Sequence, residues 1–124
     1  KGHDMAVVTL SLQKQDASGQ TYANPAKPDF TVRFKNSSAR KTLNGVSVSN
    51  LMCEIVYNDN NNVTVGGVAA SDAISCRLRV SGTLESKTRL NQFLTGLAAQ
   101  IAAWQTQNVF QGFNPTSAPA ITEP

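Results

Sequence analysis

The spacing of apolar residues changes once along this chain, and that change limits what it can fold into. Between Ser81 and Gln111 lie Leu90, Phe93, Leu94, Leu97, Ile101 and Trp104. Counted from Leu90 they follow the i, i+3, i+4, i+7 pattern, which puts all six on one stripe of a helix. Glu85 falls in the first turn, where a negative charge suits the helix dipole. Thr83 or Ser86 offers a cap, and Gly112 offers a stop. Before this stretch the apolar residues alternate instead. The expected fold is therefore α+β: an N-terminal hairpin and antiparallel sheet over residues 1–82, a long C-terminal helix over 83–111, and an extended tail over 112–124. With 124 residues, the chain has room for one domain and one modest core.

The sheet half reads as a series of strands. Met5–Leu12 is rich in β-formers and reads as a first strand, Gln15–Gly19 as a turn, and Gln20–Ala23 as a short return strand. Asn24–Asp29 carries two prolines and reads as a loop or edge. Phe30–Lys35 alternates strictly, with Phe30, Val32 and Phe34 against Thr31, Arg33 and Lys35. Asn36–Lys41 reads as a polar turn, followed by strands over Leu43–Ser49 and Leu51–Tyr57. The apolar parity changes between Val48 and Leu51, which predicts a bulge or corner near Asn50. Asn58–Asn62 reads as a turn, Val63–Val65 as a short strand, and Val68–Asp72 as a loop. Ala73–Ser81 alternates again, with Ile74, Cys76, Leu78 and Val80 against Ser75, Arg77, Arg79 and Ser81.

Such a sheet raises a covering problem. One helix is about 10 Å across, whereas five strands spaced about 4.8 Å apart span roughly 24 Å. A single helix leaves about half of an apolar face bare, and a symmetric partner lending its own helix would cover the rest.

Composition excludes several classes of function. No apolar run approaches a membrane span. No signal-peptide core sits near the N-terminus, and an opening on Lys1 rather than Met suggests a trimmed or renumbered start. Cys53 and Cys76 are too few for a disulfide scaffold and read as reduced thiols facing the core. The lone histidine, His3, has no partner for catalysis, and the acids form no close pair of the kind acid–base chemistry needs. Asp59 among asparagines lacks the closing acid of a calcium loop. Gly66-Gly67 lacks the Lys-Ser/Thr of a phosphate loop. Two glycosylation sequons, at Asn36 and Asn62, are read as chance without a secretion signal. No enzyme, cofactor or metal is expected.

The net charge of +3 matters less than its placement. Arg33, Lys35, Arg40 and Lys41 lie within nine residues that hold no acid. Arg77 and Arg79 form a second pair, and no basic residue follows Arg89. Thr31, Ser47, Ser49 and Ser75 are expected on the same face as Arg33, Lys35, Arg77 and Arg79. Two readings stay open from the residues alone. One is an ordinary solvated sheet surface. The other is a platform on which cations neutralise RNA phosphates and hydroxyls hydrogen-bond sugars and bases.

Three stretches carry a resemblance: FTVRFKNSSARK, CRLRVSGTLESKTRLNQFLTGLAAQIAAW and GFNPTSAPAI. The first resembles a strand and Ser-rich turn, the second a final strand, bend and long helix, and the third an Asn-Pro tail. In this order they resemble the coat proteins of small single-stranded RNA bacteriophages, the leviviruses. The resemblance implies an intertwined homodimer and an icosahedral shell, a virion protein assembled in the host bacterial cytoplasm. It implies single-stranded genomic RNA, as a hairpin in the family, as a partner, and no membrane. Thr31, Arg33 and Lys35 match family RNA-contact positions on one central strand, Arg77 and Arg79 on the final strand, and Ser47 and Ser49 more loosely. Leu90, Phe93, Leu94, Leu97, Ile101 and Trp104 would form the dimer interface. Where the family stacks a base on a tyrosine of the final strand, this chain has arginines. Two rival readings are a stand-alone RNA-binding β-sheet module and a bacterial surface or pilus-like β-protein.

Overall fold

The computed structural model describes residues 7–17 and 19–120. His3 and the start of the expected first strand, Met5 and Ala6, lie outside them. By internal contacts the chain divides into two compact units, Lys1–Ser81 and Gly82–Pro124. The sheet has five strands in sequence order: β1 (Ser11–Asp16), β2 (Gly19–Asn24), β3 (Lys27–Leu43), β4 (Val46–Val65) and β5 (Val68–Thr83). The pairs β1–β2, β2–β3 and β3–β4 are all antiparallel. The second unit carries helix α1 (Lys87–Thr106). The expected α+β order of hairpin, antiparallel sheet and C-terminal helix is the order observed.

Strand lengths depart from the sequence reading in one direction. Residues 36–41, expected as a turn, continue β3. Residues 58–62, also expected as a turn, continue β4, and residues 68–72 are strand rather than loop. Polarity misled over residues 36–41 and 58–62. The pairing of β2 with β3 stops at Gly19↔Lys35, so the rest of β3 runs on beyond β2. Both faces of that ribbon are exposed, and its side chains are polar because they meet water, not because the chain turns. The real turns are two-residue loops. Asn44 and Gly45 have φ of 49° and 78°, and Gly66 and Gly67 have φ of 58° and 80°. Two consecutive positive φ values are what the twist-matched type I′ hairpin requires.

No corner exists near Asn50. The β3–β4 register runs unbroken from Thr31↔Asn58 to Leu43↔Val46. β1 also begins later than expected, because its partner offers a place only from Ala23, opposite Ser11. A bulge lies between Leu12 and Lys14, and Gly19 N–H closes the first hairpin by donating to Asp16 Oδ1 at 3.0 Å.

The register defines the faces, since residues directly opposite point the same way. One face carries Thr21, Thr31, Arg33, Lys35, Met52, Glu54 and Val56. The other carries Tyr22, Val32, Phe34, Leu51, Cys53, Ile55 and Tyr57. Tyr22 and Phe34 meet edge to face, with ring centroids 5.8 Å apart. Only Ala23, Val32 and Val56 are buried apolar residues among those described. The core of a single chain is therefore thin, and much of the apolar face stays open: Tyr57 is 49% exposed and Ile74 65%.

In the second unit, a 3-10 turn (Leu84–Ser86) precedes α1. Thr83 and Ser86 stand at the two N-terminal cap positions, but neither side chain makes a capping hydrogen bond. Asn108 turns left-handed after α1, a second 3-10 turn follows, and Gly112, with φ of 95°, ends the helical region as expected. The tail is tied to the helix. Gln107 Oε1 accepts from Thr116 N–H at 3.0 Å, and its Nε2 donates to Ser117 Oγ at 3.4 Å. No residue of α1 is buried in the single chain, and Phe93 on its stripe is 42% exposed.

Candidate nucleic-acid interface

Alternation along β3 and β5 collects the cations on one face. Arg33 and Lys35 project from β3 beside Thr31. Arg77 and Arg79 share parity on β5, and both reach side chains of that face on β4. Ser75 has the same parity. Six of the eight expected RNA-contact residues thus share a face: Thr31, Arg33, Lys35, Ser75, Arg77 and Arg79.

Ser47 and Ser49 do not join them. Ser47 pairs with Thr42 and Ser49 with Arg40, which places both on the opposite, apolar side. There they hold Arg40. Its Nε donates to Ser47 Oγ at 3.0 Å, Nη1 to Ser49 Oγ at 2.9 Å, and Nη2 to the Ser47 carbonyl at 2.9 Å. The error follows from the turn: with Asn44-Gly45 as the loop, odd positions of β4 fall opposite even positions of β3.

The cations are not equivalent. Arg33 donates to Thr21 Oγ1 at 3.0 Å and lies 3.8 Å from Asp16, which Lys14 also approaches at 3.8 Å. Lys35 and Arg77 flank one carboxylate, that of Glu54, at 3.7 and 3.5 Å. Arg79 turns its Nε toward the Met52 sulfur at 3.0 Å, with no carboxylate partner among the described residues. Beside it opens a cleft of about 420 Å³, lined by Lys35, Ser37, Met52, Glu54 and Arg79. The sequence reading missed Thr21, Met52 and Glu54. Their signal was the register itself, which the hidden turn concealed.

The opposite face offers a different surface. Tyr22, Phe30, Val32, Phe34 and Tyr57 line an apolar groove of about 700 Å³. Alternation puts Ile74, Cys76 and Leu78 of β5 on this side, away from Arg77 and Arg79. Cys53 and Cys76 are unpaired thiols, the first half-buried and the second exposed. Elsewhere Lys27 pairs with Asp59 at the Asn-rich end of β4. Among the described residues no group of His, Cys, Asp or Glu could hold a metal, and no helix is long and apolar enough to cross a membrane.

A five-stranded antiparallel sheet followed by one long helix is the fold of chains from levi-like phage particles. The chain of the virus-like particle of bacteriophage PQ-465 matches with a TM-score of 0.84 at 22% identity, over 96% of this chain and 99% of that one. The virus-like particle of bacteriophage ESE001 matches at 0.58 and 14% identity, over 94% and 100%. That of Beihai levi-like virus 21 matches at 0.54 and 15%, over 88% and 87%. No protein-family model and no curated protein sequence matches. The fold that the levivirus resemblance implied is the fold the chain has.

Proposed function

We propose that this chain is the coat protein of a single-stranded RNA phage. Two copies form a dimer, dimers assemble into an icosahedral shell, and genomic RNA lies against the cationic sheet face inside. The observation that carries this reading is the match to a virus-like-particle chain over nearly the whole of both chains. The surface chemistry supports it. An apolar sheet face and an apolar helix stripe are both left exposed in one chain, and a second copy can cover both at once. Leu90, Phe93, Leu94, Leu97, Ile101 and Trp104 would lie in that dimer interface. The cationic face is then free for RNA, through Thr31, Arg33, Lys35, Ser75, Arg77 and Arg79. The role is structural rather than enzymatic. The protein belongs to the virion and assembles in the host bacterial cytoplasm.

Electron micrographs of the purified full chain test this directly. Uniform closed shells are the expected result. Discrete dimers that bind RNA would favour a stand-alone RNA-binding module, and fibres would favour a surface or pilus-like protein.

A further inference from the structure

Glu54 lies in the face that carries Arg33, Lys35, Arg77 and Arg79, where Asp16 also approaches Arg33 at 3.8 Å. Its side chain is only 16% exposed, and its two cations come from the strands on either side, Lys35 on β3 and Arg77 on β5. Those cations are far more open, at 47% and 67%. The carboxylate is thus held at the floor of the face, with two open cationic groups leaning over it. Arg79, one alternation further along β5, has the Met52 sulfur as its hydrogen-bond partner among the described residues.

We infer that Glu54 is a positioning residue and an internal competitor for the ligand's phosphates, an inference that rests on the proposed RNA-binding role of this face. Two cations and one anion within ion-pair distance carry a net charge of one. A phosphate approaching Lys35 or Arg77 displaces an attraction already satisfied by Glu54. It therefore releases fewer counterions than a phosphate meeting a free cation. The triad supplies one phosphate contact, not two. Arg79, with no ion pair among the described residues, supplies a full contact.

The test is binding of a short oligouridine by the full-length protein across a salt series. Each single-strand contact contributes a slope of about 0.7. Glu54→Gln, which removes the charge and keeps the shape, is expected to bind more tightly at low salt and steepen the slope by about 0.7 per chain. A second variant leaves no charge unpaired at the half-buried site. Lys35→Gln/Glu54→Gln/Arg77→Gln removes the whole triad and is expected to flatten the slope by about 0.7 per chain, rather than about 1.4. A Glu54→Gln slope equal to wild type, or flattening near 1.4 in the triple variant, overturns the inference and leaves RNA binding standing. Binding by Glu54→Gln where wild type binds barely at all supports it. No binding by either protein at any salt overturns both the inference and the RNA-binding role.

Discussion

Val32 and Val56 carry more of the sheet's stability than their size suggests, because few other apolar side chains are buried in one chain. Val32→Ala removes buried apolar surface near the Tyr22–Phe34 ring pair. Full burial of a valine side chain is worth about 1.5–3 kcal/mol, so a loss toward the lower end is expected in urea unfolding. A contrasting outcome is expected on the exposed ribbon. Ser47→Ala/Ser49→Ala releases the Arg40 fork but changes stability by less than about 1 kcal/mol. It is also expected to leave RNA affinity at every salt concentration as in wild type, because these hydroxyls lie opposite the cationic face. A clear loss of affinity would place RNA on the wrong face here. The basic residues were legible from the sequence because alternation alone puts Arg33 with Lys35 and Arg77 with Arg79. Glu54 was not, since its meaning depends on which residues sit opposite it.

At the scale of the element, the turns decide the register, and one misplaced turn misassigned two residues. Asn44-Gly45 is the strongest short-range hairpin signal a sequence offers. Taken as the loop, it pairs Lys35 with Glu54 directly. The polar run at residues 36–41 competed with it and won in the reading, since polarity serves equally for a turn and for a ribbon wetted on both sides. The long helix was legible because its period persists over several turns. Two glycine substitutions separate the physical reasons for these turns. Gly45→Ala meets nothing within 4 Å, so its cost is the left-handed backbone alone, about 1–2 kcal/mol. At Gly19 the added carbon would lie 2.1 Å from the Phe34 carbonyl oxygen, so the backbone itself must move. Gly19→Ala is expected to detach the β1–β2 hairpin and raise amide exchange there, while Gly45→Ala lowers stability and keeps the pairing. Equal exchange in the two variants would refute that distinction.

At the scale of the whole molecule, the open surfaces are those the proposed dimer would cover. An apolar sheet face, an apolar groove and a helix stripe with no buried residue are more than a soluble monomer ordinarily leaves to water. Sedimentation of the full chain is expected to show no folded monomer at micromolar concentration. Trp104→Ala is expected to weaken folding and association together, by about 3–5 kcal/mol if the ring is buried in the dimer. A stable folded monomer would mean that these faces are covered in another way. The central claim joins the two sides of the sheet, one turned to a partner and the other to RNA inside a shell. The RNA content of purified particles after ribonuclease treatment tests that claim most directly. The account requires closed particles that retain RNA in the wild type. With Arg33, Lys35, Arg77 and Arg79 all changed to Gln, it requires particles that still form but hold much less. Particles stripped of RNA by the nuclease, or the same RNA retained without those four cations, would contradict it.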